Sequence, residues 1–333
     1  MVAREKFQQL KSHLQQVIVG QEALLDRMII ALLTGGHLLL EGPPGLAKTT
    51  AVKTLSECVK ASFQRIQFTP DLMPGDVTGS DILETQTGRL TFVKGPIFHE
   101  IVLADEINRA PPKVQSALLE AMAEKQVTAG GVTRALPDLF MVMATQNPLE
   151  QSGTYPLPEA QLDRFMLHVP LEYPSEDEEL IILRRDRARH FGEDVTALDA
   201  LITPKDVLEA RHQIAEQFIS EAVEKYIVAL TGATRRLEKW DASLAGVLEI
   251  GASPRASLSL LHAASAMAWL AGRDFVTPDD VLALLPDVLR HRIRVSFAGR
   301  AKQWTEVSVI HKIMELIPVP LSASESFQAS ASA

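Results

Sequence analysis

Apolar positions along this chain follow two regimes that meet near residue 173, and the first of them alternates short apolar runs with stretches of helical spacing. Residues 4 to 18 read as a helix leading to Val19-Gly20-Gln21, and Ala23 to Leu33 as a second, strongly apolar helix stopped by Gly35-Gly36. His37 to Leu40 is a strand pattern, followed by a glycine-rich loop and a helix to about Val59; Phe63 to Phe68 is a further strand of only fair alternation. Two β-prone runs from Ile82 to Val93 flank Gln86-Thr87-Gly88-Arg89 and predict a hairpin with glycine at its positive-φ position. Glu100 to Ala104, Leu139 to Thr145 and Phe165 to Val169 are buried-strand patterns. Between them lie a helix opened by Pro111-Pro112, with Val114, Leu118 and Met122 on its core face, and a second hairpin signal from Val127 to Thr133. Five strands separated by helices predict an α/β fold, a doubly wound, parallel five-stranded sheet carrying β-hairpin inserts.

Beyond Tyr173-Pro174 the strand patterns stop. Ser175 with Glu178 forms a capping-box start, Thr203-Pro204 and Thr277-Pro278 are N-cap and proline starts, and no strand-like run of length precedes Val309. The expected division is an α/β core over residues 1–173, an all-α lid over 174–320 and a low-complexity, disordered tail over 321–333.

Composition narrows the class. With 333 residues, 46% hydrophobic and 23% charged, the chain suits a soluble globular protein of two domains. A net charge of -9 argues against nucleic acid as the main partner. Cys58, the single cysteine, sits in a helical stretch and suits a buried core position in a reducing, cytoplasmic compartment. Neither an export signal nor a membrane span is expected, because no apolar run approaches about 18 residues.

The chemistry concentrates where strands end. Glu41-Gly42-Pro43-Pro44-Gly45-Leu46-Ala47-Lys48-Thr49-Thr50 lies between a strand and a helix, and nearly fits the loop whose backbone N–H groups wrap phosphates. Lys48 is the residue for the β/γ oxygens and Thr49 the hydroxyl for Mg²⁺; Ala47 replaces the usual glycine and fits if its φ stays negative. Asp105 and Glu106 close an apolar strand, where nucleotide hydrolysis needs one acid on the Mg²⁺ side and one that polarises water. Asn147 ends another strand at the same sheet edge, a place that also suits a turn-forming Asn before proline. Ser253-Pro254-Arg255 puts an arginine in the first turn of a helix, against the macrodipole, a conflict that an anion relieves and that a neighbouring carboxylate would relieve equally.

Taken together, the loop, Leu103-Ala104-Asp105-Glu106, Ala144 to Pro148, Leu162-Asp163-Arg164-Phe165 and Gly251 to Arg255 resemble the AAA+ ATPases. Gly95-Pro96-Ile97-Phe98, Ala104 to Pro112, Gln115 to Met122 and Pro156 to Phe165 narrow the resemblance to the MoxR group, over about Val17 to Val295. The resemblance implies Walker A at Gly42 to Thr49, Walker B at Asp105 and Glu106, sensor 1 at Asn147, an arginine finger at Arg164, sensor 2 at Arg255 and an adenine-bordering strip at Val19 and Gly20. It further implies ATP and Mg²⁺ as cofactors, hairpins facing the pore of a hexameric homo-oligomeric ring, and chaperone-like remodelling or cofactor insertion in partners with von Willebrand factor A domains. Arg109 is left between a role across the subunit interface and anchoring a loop. Two rivals are carried along, a nucleic-acid motor or transcription activator with similar inserts and a magnesium-chelatase-like subunit. A GTPase is disfavoured because no Asn-Lys-x-Asp stretch occurs.

Overall fold

A computed structural model describes residues 3–85, 88–147, 153–190 and 202–320. The chain opens with α1 (Ala3–Val17), which buries Phe7, Leu10 and Leu14 at helical spacing, and α2 (Glu22–Thr34), closed by Gly35 in the left-handed region at φ 68°. The strands of the central sheet are β1 (Leu38–Glu41), β2 (Phe63–Gln67), β5 (Ile101–Asp105), β8 (Met141–Gln146) and β9 (Leu167–Pro170). Between β1 and β2 runs α3 (Lys48–Cys58), which buries Cys58; burial pushes that thiol up to about 11, so it is an inert core group.

The sheet is parallel throughout in the order β2-β5-β8-β1-β9. After β1 the chain crosses to β2 on one edge, whereas after β8 it crosses to β9 on the other. A crevice therefore opens at the carboxyl ends of β1 and β8, the switch point where open α/β sheets bind ligands.

Between β2 and β5 come α4 (Pro74–Thr78) and a hairpin of β3 (Gly79–Glu84) with β4 (Arg89–Lys94). Gly88 takes the expected positive φ, while Gln86 and Thr87 lie outside the described residues. After β5, α5 (Pro112–Glu124) buries Val114, Leu118 and Met122 as anticipated, and β6 (Gln126–Ala129) pairs with β7 (Val132–Ala135) through Gly130 and Gly131, both at positive φ. The two hairpins lean on one another: the Asp81 carboxylate fills the space a Cβ on Gly130 would take, and the Arg134 guanidinium lies 3.7 Å from the Phe92 ring centroid. Short α6 (Glu159–Leu162) precedes β9.

The chain divides into Met1–Gln213 and Ile214–Ala333, later than the expected boundary at 173/174. Two helices assigned to the lid from composition, α7 (Glu176–His190) and α8 (Pro204–Ala215), are tied to the first unit by polar contacts that composition does not reveal. Lys6 pairs with Asp206 at 2.7 Å, Arg185 donates to the Gln16 carbonyl, and Arg211 donates to the Leu32 carbonyl at 2.7 Å. Their starts are as read, with Glu178 and Asp206 accepting from the backbones of Ser175 and Thr203.

The second unit packs α9 (Glu221–Ala233), α10 (Pro254–Leu270), α11 (Pro278–Leu289), α12 (Phe297–Ala301) and α13 (Glu306–Leu316) around a core that includes Trp269. Among its described residues the strands are a ribbon of β10 (Leu248–Ile250) and β11 (Arg294–Val295), runs too short to carry a strand period in the sequence. The proposed tail lies outside the described residues. Among the described residues no helix is long and apolar enough to cross a membrane.

Candidate functional site

At the switch point the loop after β1 is shaped by backbone constraints. The Gly42 N–H donates to the Gln146 carbonyl at 3.3 Å, and a Cβ on Gly42 would sit 2.8 Å from the Leu171 carbonyl oxygen, so only glycine fits. Gly45 has φ 86°. Ala47 departs from the expectation of a negative φ: it adopts φ 52° and ψ 21°, the left-handed region, and caps α3 by accepting the Ala51 N–H at 2.9 Å. The loop must reverse into the helix at that residue, and the turn is kept at a cost of about 1–2 kcal/mol for a non-glycine side chain. Lys48 opens α3 and donates from Nζ to the Gly42 carbonyl at 2.6 Å. Partial burial lowers its pKa, opposed by the negative charges of Asp105, Glu106 and Glu41.

The facing wall is held by side chains. The Thr145 hydroxyl donates to Asp105 Oδ1 at 2.6 Å and accepts from the Glu106 N–H at 2.8 Å, which fixes both acids against β8. Glu106 also lies in the left-handed region, at φ 56° and ψ 50°, so two strained non-glycine residues border one cleft. Its Oε2 accepts from Gln67 Nε2 at 2.7 Å and from an Arg109 Nη at 2.9 Å. Asp105 Oδ2 accepts from Arg65 Nε at 3.0 Å and Nη2 at 2.5 Å. The cleft, about 410 Å³, is lined by Pro44 to Thr50, Arg65, Asp105, Glu106, Thr145, Gln146 and Asn147. No group of three or more His, Cys, Asp or Glu among the described residues could cage a metal. The donor set here, one threonine hydroxyl and one carboxylate beside a phosphate-type loop, suits an ion such as Mg²⁺ that binds mostly through water and phosphate.

Comparison with known proteins agrees with this geometry. Residues 37–167, from the start of the sheet to β9, match the family model described as "ATPase family associated with various cellular activities (AAA)", and residues 245–313 match the AAA lid domain. The chaperone MoxR1 of Mycobacterium tuberculosis is 43% identical over 307 residues, covering 92% of this chain and 80% of that protein. Protein MoxR of Paracoccus denitrificans is 32% identical, with 95% and 96% of the two chains covered. A crystal structure of a candidate ATPase from Cytophaga hutchinsonii superposes with a TM-score of 0.89 at 43% identity, covering 96% of both chains. The chain belongs to the MoxR family of AAA ATPases. It is thus a nucleotide-binding ATPase.

Within the first unit, the fold of this MoxR-type ATPase brings Pro44 to Thr50, Asp105, Glu106 and Asn147 to one cleft. Val19 and Gly20 are outside the cleft lining and precede Gln21, whose Nε2 donates to the Glu172 carbonyl at 3.1 Å; the Glu178 carboxylate fills the space a Cβ on Gly20, at φ 71°, would take. Arg164 stands between α6 and β9, away from the lining, with its Nε buried and unpartnered. Arg255 belongs to the second unit, in the first turn of α10, where Ser253 Oγ accepts its N–H at 3.1 Å. Arg109 contacts Glu106 within the same chain, in the manner of a local anchor. Sequence reasoning missed Arg65, Gln67 and Thr145. The first two share one face of β2 at the i, i+2 spacing, a polar period that marks an edge strand's cleft side.

Proposed function

We propose that this MoxR-type protein is a Mg²⁺-dependent, ATP-driven ring motor that remodels partner proteins in a chaperone-like way or inserts cofactors into them. The convergence of Lys48, Asp105, Glu106 and Asn147 on one cleft at the sheet's switch point carries the reading. Gly42, Pro43 and Pro44 shape the loop, the N–H groups of Gly45, Leu46, Ala47, Lys48, Thr49 and Thr50 cradle phosphates, and the Lys48 ammonium reaches the β/γ oxygens. Thr49 and, through water, Asp105 hold Mg²⁺, which when bound neutralises phosphate charge. Glu106 orients the attacking water, and Asn147 donates to it or to the γ-phosphate. Val19 and Gly20 border adenine. Arg164 completes the site of a neighbouring subunit in a head-to-tail hexamer, and Arg255 reaches the γ-phosphate from the lid.

A protein partner is favoured over nucleic acid by charge and by surface. The net charge is -9, and the hairpins expose Ile82, Leu83, Leu90 and Val132, apolar groups suited to a polypeptide. The name of the relative MoxR1 is that of a chaperone, and a partner with a von Willebrand factor A domain follows the resemblance to the MoxR group.

Mixing two inactive variants tests the ring. Lys48→Ala and Arg164→Ala each lose hydrolysis, and random exchange in an equal mixture leaves about one interface in four with both parts intact. Phosphate release should return to at most about a quarter of the native rate. Full activity in Arg164→Ala alone, with no recovery on mixing, would remove the trans-acting finger.

A further inference from the structure

Asp105 is claimed on both of its oxygens by protein donors. Oδ1 takes the Thr145 hydroxyl at 2.6 Å, and Oδ2 takes two N–H groups of Arg65, at 3.0 and 2.5 Å. Arg65 comes from β2, where the register sets it two residues before Gln67, the partner of Asp105 in the ladder. Its Nη2 also donates to Gln67 Oε1 at 2.7 Å, and the same amide donates from Nε2 to Glu106 Oε2 at 2.7 Å. One guanidinium therefore neutralises Asp105 and is joined through Gln67 to Glu106.

The two sides of this ion pair differ in freedom. Arg65's side chain is 47% exposed and lines the cleft, whereas that of Asp105 is 16% exposed and pinned from behind by Thr145. The arginine can swing into solvent; the carboxylate stays. A hydrated divalent ion at Asp105 needs acceptor lone pairs, and Arg65 holds those of Oδ2, the oxygen that Thr145 does not engage. The two cations compete for one oxygen.

We propose that Arg65 is a displaceable internal cation, so that metal arrives at this cleft by exchange, with the Arg65 guanidinium as the group that leaves. The proposal rests on the reading of Asp105 as the metal-side acid. In the absence of metal, Arg65 neutralises Asp105, as Arg109 does Glu106. Once displaced, it gives up its donation to Gln67 Oε1 as well, and metal arrival is felt at Glu106 through that amide. The apparent metal affinity is lower than the bare site would give, because part of the binding free energy goes into breaking the ion pair.

Mn²⁺ titrated into the full-length protein saturated with ADP, with free Mn²⁺ read from its paramagnetic resonance signal, tests this without hydrolysis. Arg65→Ala and Arg65→Gln should each bind Mn²⁺ about three- to tenfold more tightly than the native chain, the range expected for loss of a partly exposed, charge-assisted pair. ADP affinity measured in EDTA should stay the same in both variants and reports that the cleft is folded. In an Asp105→Asn background the same Arg65 substitutions should change Mn²⁺ affinity hardly at all, since the contested oxygen is gone. Equal or weaker Mn²⁺ binding in both Arg65 variants overturns the exchange and makes Arg65 a structural support. If Asp105→Asn itself leaves Mn²⁺ affinity untouched, the metal assignment of Asp105 falls, and the exchange with it.

Discussion

The two walls of the cleft are built by different means. On the β1 side the loop from Gly42 to Lys48 is a backbone construction: Gly42 because Leu171 leaves no room for a Cβ, Gly45 and Ala47 because the turn runs through positive φ, and Lys48 folded onto the Gly42 carbonyl. On the β5 side a chain of side chains does the work, with Thr145 bridging Asp105 and the Glu106 N–H while Arg65, Gln67 and Arg109 hold the carboxylates from the front. A backbone cradle keeps its donors wherever its shape is kept, so it suits a ligand held through many cycles. A side-chain network can exchange partners one at a time, so it suits the wall where metal, water and charge must change places. Under the proposed function, binding falls to the first wall and chemistry to the second.

Substitutions that touch one wall should leave the other's property intact, and the largest effect belongs to the acids. Asp105→Asn should lower hydrolysis about a hundredfold or more while ADP binding in EDTA is kept. Loss of metal-free binding would mean the walls are not separable. Thr145→Val keeps the shape of a buried residue but strips the bridging hydroxyl from Asp105 and the Glu106 N–H. It should destabilise the fold by about 1–3 kcal/mol in chemical denaturation and slow turnover about tenfold, again with phosphate-loop binding retained. Gly42→Ala drives a Cβ to 2.8 Å from the Leu171 oxygen and should cost about 1–3 kcal/mol together with nucleotide affinity, an injury confined to the binding wall. The smallest effect is a gain: Ala47→Gly relieves φ 52° and should raise the unfolding free energy by up to about 1 kcal/mol, with affinity unchanged or improved. A destabilised Ala47→Gly protein would show that the methyl group, not the turn, is what matters there.

This contrast also decides how much of the site the sequence reveals. A backbone-built loop leaves a contiguous trace, and Gly42 to Thr50 was legible as such, as were the strand-end acids and the sheet, because apolar runs and turn glycines are local signals. Ala47 was the exception: whether an alanine bears a positive φ depends on how the loop enters α3, not on its identity. Arg65, Gln67 and Thr145 escaped notice because their meaning lies in register. Arg65 and Asp105 are far apart in sequence and meet only when β2 pairs with β5. The same holds for α7 and α8, placed with the lid by composition but tied to the first unit through Lys6, Gln16 and Leu32. The β10–β11 ribbon was invisible because strands that short have no period to recognise.

The division of labour is tested most directly by measuring ATP binding and hydrolysis side by side in Lys48→Ala and Glu106→Gln. Lys48→Ala should lose ATP binding, whereas Glu106→Gln should bind ATP as tightly as the native protein and release phosphate about a hundred to ten thousand times more slowly under saturating ATP. Near-native phosphate release from Glu106→Gln, or equal loss of ATP binding in both variants, would contradict the assignment of binding to one wall and chemistry to the other.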